Sequence, residues 1–406
     1  MAFRLPFLRR ISNDLAPEPV AFPPPYRRMI AINSDVELTL WPMQMHLFGE
    51  FADRELETAF SYWLFGDPAA TWHLFNRDLS LTPVGPAALG LARAGLLDTI
   101  HSFTGVRNGR GYQFDREMVR QGYAQLEANG VRCRVYSNHG TTDDTQNVGG
   151  DWVNRPGYPS YGQGDLPGAL RYHVDLSVRH GIRFFWLDID NAQACLSFTA
   201  TEGEAHENLF AAQICRDGTP ILRFRRTDAM VRSDLAQLGD ALDRVLAAED
   251  GGYTVLYTHL GVKRGAENRP LSADPSDIPA AVLAGLDGLA AEQKAGRVLV
   301  TTTERLLTHA LMSVAKPWAI TRRGRQIETD FSDSFSFAGV EFDCSWKEFM
   351  GFSLPVDASD TVWLRLGGER RPADRWNVAG QFYAGLQWRQ LPMKSAIEEA
   401  RRVSAI

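Results

Sequence analysis

Four polar side chains follow directly on apolar, strand-like runs that lie far apart in the chain. Asp35 follows Met29-Ile-Ala-Ile-Asn-Ser34, His101 follows Leu97-Asp-Thr-Ile100, His139 follows the run from Val131 to Asn138, and His259 follows the run from Tyr253 to Thr258. A carboxylate and imidazoles are groups that ligate a divalent ion or move protons. Where parallel strands close into a barrel, their ends at one face converge on a single pocket. The four residues therefore predict one site assembled from several distant strands.

Further polar groups gather at the same kind of position. Glu37 adds a second carboxylate two residues after Asp35, and Asp188 and Asp190 follow Phe185-Trp-Leu187. Asn138 precedes His139, and the string Thr141-Thr-Asp-Asp-Thr-Gln-Asn147 supplies Asp143, Asp144, Gln146 and Asn147 as candidate substrate contacts. Arg155 is a further candidate, from Asn154-Arg-Pro-Gly-Tyr158. Each has a plainer reading when taken alone. An Asp after a strand caps helices and forms turns, and a polar loop is often only solvated. His173, upstream of Asp175 on a predicted helix, is read as structural. Gly109-Arg-Gly111 has no strand-to-helix context and is not read as a phosphate loop.

The elements that must hold these residues alternate. Strand-length apolar runs are expected at residues 29–34, 61–65, 97–100, 131–137, 182–187, 220–224, 253–258 and 298–300. Helices are expected at residues 87–95, 115–129, 234–248, 278–295 and 303–314. In the third of these, Leu235, Leu238, Leu242, Val245 and Leu246 fall on one face at helical spacing. Gly130 and Gly296 stand just past the second and fourth, where glycine is preferred. The alternation predicts an α/β fold, a distorted (β/α) barrel of seven or eight units over residues 27–315. Residues 1–26, with five prolines between Pro17 and Pro25, read as an extended lead-in. From Lys316 short β-like runs follow without intervening helices, predicting a small C-terminal β-sheet or sandwich over 316–392, then a helix or tail over 393–406. The tryptophans of that region, Trp318, Trp346, Trp363, Trp376 and Trp388, are read as core first and as sugar platforms second.

Composition narrows the partners. Across 406 residues the formal net charge is −6, and no basic run appears, which argues against a nucleic-acid binder. Four scattered cysteines, Cys133, Cys195, Cys215 and Cys344, form no Cys-x-x-Cys pair and read as free thiols. The opening segment lacks the long apolar region of a signal peptide, and no stretch has transmembrane length, so a cytoplasmic location is expected.

The strand ending in Asp35, the His101-Ser102 pair and the late Leu256-x-x-His259 together resemble the motif series of the polysaccharide-deacetylase superfamily. The resemblance spans roughly residues 27–314. It implies a distorted barrel, an Asp-His-His metal site and hydrolysis of N- or O-acetyl groups on glycans. Carried over residue by residue, it makes Asp35 and His101 ligands of a divalent metal, Zn by preference, and His259 a general acid. The chain departs from the family where two adjacent aspartates are usual, having Ser34-Asp35, and where a second His follows the first by four residues, having Gly105. His139 is the candidate replacement ligand, Glu37 the candidate base, and Asp188 a group to orient a histidine, with Asp190 beside substrate. The expected function is metal-dependent deacetylation of a glycan or sugar precursor in surface-polysaccharide metabolism. The alternatives are a metal-free glycosidase using paired carboxylates, or a non-catalytic barrel that binds glycan.

Overall fold

The structure is a computed structural model that describes residues 15–36, 38–66, 72–104, 115–139, 145–149, 162–187, 191–193, 195–228, 235–248, 251–263 and 269–404. The chain opens with β1 (Arg28–Ser34), α1 (Trp41–Asp53), β2 (Ala59–Tyr62), α2 (Gly85–Arg93), β3 (Leu97–His101), α3 (Arg116–Ala128), β4 (Val135–Ser137), α4 (Val174–Arg179) and β5 (Phe184–Trp186). A mostly β stretch follows: β6 (Asn191–Gln193), β7 (Thr199–Glu202), β8 (Asn208–Ile214), β9 (Pro220–Phe224) and β10 (Arg226–Asp228). Then come α5 (Leu235–Ala247), β11 (Gly252–Thr258), β12 (Val262–Lys263), β13 (Arg269–Pro270), α6 (Ala280–Lys294), β14 (Leu299–Thr301) and α7 (Thr303–Ala315).

One mostly parallel sheet organises these elements, in the order β6-β10-β11-β1-β2-β3-β4-β5-β9-β8-β7, with β14 also beside β1. Every residue of β1 is buried, as expected of a strand covered on both faces. Its full length pairs in parallel with β11, from Arg28 opposite Gly252 to Ser34 opposite Thr258. That register brings the residues following both strands, Asp35 and His259, to the same edge of the sheet. The helices expected around Asp115 and Ile278 do end before glycines in the left-handed region, Gly130 at φ +69° and Gly296 at φ +74°.

The helical layer packs on one side of the sheet. Ile30, Ile32, Ile100, Tyr136 and Leu256 share a core with Phe48 and Phe51 of α1, Leu126 of α3 and Leu242 of α5. The other side is closed differently. Met29, Ala31, Phe184 and Leu222 share a second core with Leu306, Leu307, Ala310 and Leu311 of α7 and with the C-terminal strands.

Those strands are β15 (Trp318–Arg323), β16 (Gln326–Phe331), β17 (Ser334–Phe337), β18 (Val340–Asp343), β19 (Ser353–Val356), β20 (Thr361–Leu366), β21 (Glu369–Pro372), β22 (Asp374–Val378) and β23 (Gln381–Gly385). They form a small β-region of four-, three- and two-stranded sheets. Its strands alternate buried and exposed residues, as in β16 and β20, so one face of each is buried. The small sheet region is joined to the large sheet through packing: the Phe342 ring lies 6.1 Å from Phe184 of β5. Its tryptophans are half-buried and each has a partner, such as Arg370 over Trp363 at 4.1 Å and Tyr383 against Trp376 at 6.1 Å. The lead-in also packs here, Val20 N–H donating to Ser353 O at 3.0 Å and Phe22 lying 5.1 Å from the Tyr253 ring.

The last element, α8 (Met393–Val403), returns to the helical layer against α1 and α2. Met393 and Ile397 are buried there. Each contributes roughly 1.5–3 kcal/mol by burial, enough to make this segment part of the fold. Among the described residues no helix is long and apolar enough to cross a membrane.

Candidate active site

Asp35, His101 and His139 arrive at one place from β1, β3 and β4. Asp35 is 2 % exposed and its backbone N–H donates to Thr258 O at 2.9 Å, which ties the end of β1 to the end of β11. Ser34 Oγ accepts from Leu260 N at 3.1 Å and fastens the turn carrying His259. His101 Nδ1 stands 3.6 Å from Asp35 Oδ1, an ion-pair distance longer than a hydrogen bond. The His139 ring meets His101 edge to face with centroids 5.4 Å apart, and Trp63 stacks on His101 at 6.2 Å. His101 is buried, whereas His139 is half-buried. His259 is buried beside Tyr257, its Nε2 3.4 Å from the Tyr257 hydroxyl.

The turn after His101 is bent by Ser102, whose φ of +52° is unusual for a residue with a side chain. Its backbone N–H donates to Ser137 O at 2.9 Å, holding the ends of β3 and β4 together. Backbone strain of this kind collects where a chain must aim functional groups.

Three of the expected substrate contacts, Asn138, Gln146 and Asn147, tie together the described chain around His101 and His139. Gln146 Oε1 accepts from the backbone N–H groups of Phe103 and Thr104 at 2.8 and 3.2 Å. Asn138 exchanges two bonds with the backbone of Val148, at 3.0 and 2.9 Å. Asn147 does the same with His139, at 3.0 and 2.7 Å. All three amides are buried. Their polar atoms engage backbone, so their effect on a substrate runs through the positions of His101 and His139. His173 is fully buried between Gln146 O, 2.8 Å from Nε2, and Ser177 Oγ, 3.0 Å from Nδ1. Burial lowers it to about 4, so it sits in the core as a neutral ring. Glu37, Asp143, Asp144, Arg155, Asp188 and Asp190 lie outside the described residues.

One residue absent from the sequence reading stands at the centre. Arg226, the first residue of β10, is fully buried and its Nη1 lies 3.2 Å from both Asp35 oxygens and 2.7 Å from Asn33 Oδ1. Its guanidinium lies between two rings, 3.4 Å from the Trp186 centroid and 3.9 Å from that of Tyr257. The only signal in the sequence is position, since Arg226 comes soon after the apolar run Pro220 to Phe224, as Asp35 does after its own.

Arg226 decides the question of metal fit. Among the described residues no three His, Cys, Asp or Glu side chains gather closely enough to hold a metal ion. Beyond that, the Asp35 carboxylate that would anchor a divalent cation is already neutralised by a buried guanidinium on both oxygens. A second cation on Asp35 and His101 would face that guanidinium at short range in a low-dielectric site. The described donors therefore do not fit the Zn ion that the family resemblance implies.

No protein-family model matches this chain, and no curated protein matches it at a significant level.

Proposed function

We propose that this chain is a carbohydrate-active hydrolase that removes an acetyl group from a glycan or sugar precursor, on a distorted barrel. The observation that carries the reading is the meeting of Asp35, His101 and His139, from three different strands, in one partly buried cluster. The strand pairings support the barrel. β9 pairs with β5, while β10, beginning after the single residue Arg225, pairs with β11, so one kinked strand links the two sides of the sheet.

The chemistry follows from burial and order. Asp35, fixed by Arg226 and the β11 backbone, orients and electrostatically supports His101, which takes a proton from water as that water attacks the acyl carbon. His259 protonates the departing sugar nitrogen or oxygen. Half-exposed His139 stands where solvent and substrate reach the cluster. Since the described donors do not fit a divalent ion, these side chains alone carry the steps.

The test is acetate release from acetylated oligosaccharides, run with and without a strong chelator and with metal analysis of the purified protein. Chelator-resistant turnover is expected, with His101→Ala lowering kcat by roughly 10²–10⁴-fold, the range of general acid–base catalysis. Undiminished acetate release from a His101→Ala, His139→Ala double variant would overturn the assignment. Loss of turnover on chelation with one equivalent of bound metal would restore a metal-dependent route.

A further inference from the structure

Several buried donors around the Asp35–His101 pair have no acceptor among the described residues. They are Nε and Nη2 of Arg226 and the indole N–H groups of Trp63 and Trp186. They belong to one connected cluster, Arg226 touching Asp35 and Trp186, and Trp63 stacking on His101. Buried polar groups in folded proteins are nearly always paired, because an unpaired one keeps its full desolvation cost. A set of donors in excess at the end of a parallel sheet calls for an acceptor brought by a ligand.

Geometry says which donors matter most. With Nη1 spent on Asp35 and Asn33, the guanidinium retains the edge formed by Nε–H and Nη2–H, a planar fork with two parallel donors. The flanking faces of Trp186 and Tyr257 fix the plane of that fork. Charge says what kind of acceptor fits. Arg226 and Asp35 already balance one another, so a group that is neutral on arrival and gains negative charge during reaction suits the site better than a fixed anion.

We propose that the Nε/Nη2 fork of Arg226 receives the acyl oxygen of the substrate and stabilises the oxyanion that forms on it. This rests on the hydrolase reading above and extends it to the group that holds the developing charge. Water oxygen bonds to the acyl carbon, the carbonyl π pair moves onto the acyl oxygen at the fork, and the water proton passes to His101. Collapse of the tetrahedral species then breaks the bond to the sugar nitrogen or oxygen, which takes a proton from His259. Acetic acid and the free amine or hydroxyl leave, the acid proton passing to solvent as acetate forms, and the proton on His101 is transferred back to His259. Oriented donors aimed at a developing charge in a dry site act without reorganisation, which is why their loss costs rate more than binding.

Arg226→Lys is the informative variant, because it keeps a cation against Asp35 and removes the fork. Its kcat is expected to fall roughly 10²-fold, the usual effect of losing one such donor, with KM nearly unchanged and the pH profile in place. A methylphosphonate monoester of the same sugar, a tetrahedral probe, should lose affinity by a similar factor. Unchanged kcat in a folded Arg226→Lys protein overturns the oxyanion role alone, whereas a wild-type protein that turns over no acylated sugar overturns the hydrolase reading itself. If the lysine variant does not fold, the Arg226 Nε–H resonance of ¹⁵N-arginine-labelled wild-type protein decides instead. It should move downfield when the phosphonate is added, and an unmoved resonance overturns the proposal.

Discussion

Asp35→Ala is expected to destabilise the protein by about 3–5 kcal/mol, the cost typical of removing one partner from a buried ion pair. The reason is Arg226. It is fully buried, its Nη1 is held by Asp35 and Asn33, and its charge loses its counter-ion once the carboxylate is gone. The double variant Asp35→Leu, Arg226→Met removes both charges and replaces them with apolar groups, which is often neutral or stabilising. Denaturant unfolding of the two variants checks this. The single variant should lose much of its midpoint while the double variant recovers most of it, and both should be inactive. Equal losses in the two would show that the pair is not the source of the penalty.

Acidification from pH 6.5 to about 4.5 is expected to weaken the fold by up to roughly 1.4 kcal/mol per pH unit, the slope for a net uptake of one proton on unfolding. Two histidines drive this. His173 and His309 are both lowered by burial to about 4, so the unfolded chain binds protons on them that the folded chain refuses. Their contribution is complete above the ordinary histidine value and is lost as pH falls toward 4. Asp98 works the other way. Burial raises it to about 7, so its contribution is complete below the ordinary aspartate range and is lost as pH rises through 7. Glu304, whose backbone N–H donates to Asp98 Oδ2 at 2.7 Å, is also raised by burial and acts in the same sense as Asp98. Two histidines against Asp98, with Glu304 adding to its side, leave at most about one proton between pH 4 and 6.5, and stability rises toward pH 6.5. Unfolding free energies measured across this window should show the slope. In His173→Gln it should flatten, and a slope unaltered by that substitution would remove His173 from the account.

The sequence made the order of elements legible wherever one strand or helix carried its own signal. The run Met29 to Ser34 is apolar throughout, and β1 spans Arg28–Ser34 with every residue buried. The helix expected at 303–314 is α7, Thr303–Ala315, with a Thr302 side-chain cap accepting from Arg305 N. The strand expected at 131–137 shrinks to β4, Val135–Ser137, because apolar character marks burial and not ladder pairing. α1 was not anticipated: Trp41, Met43 and Met45 are buried as well as the face formed by Gln44, Leu47, Phe48, Phe51 and Ala52, so its first half is apolar nearly all round and the helical stripe is blurred. Val378 to Trp388 reads as one β-like run, but Val378 ends β22 and the chain folds back at Ala379-Gly380, both with positive φ, before β23.

By itself the sequence determined that polar, titratable residues stand at the ends of strands, since this follows from local patterning of apolar runs and what comes next. It also determined a layered α/β architecture followed by a β-rich region. Tertiary structure decided which of those residues meet and what each one does there. Arg226 reaches Asp35 across 191 positions of chain, and that contact depends on β10 pairing with β11 and β11 with β1. No local pattern encodes such a pairing, because register and sheet order are collective outcomes of packing both faces of the sheet. The same holds for Asn138, Gln146 and Asn147. Their amides read as substrate contacts, and only the folded chain shows them buried against backbone beside the histidines.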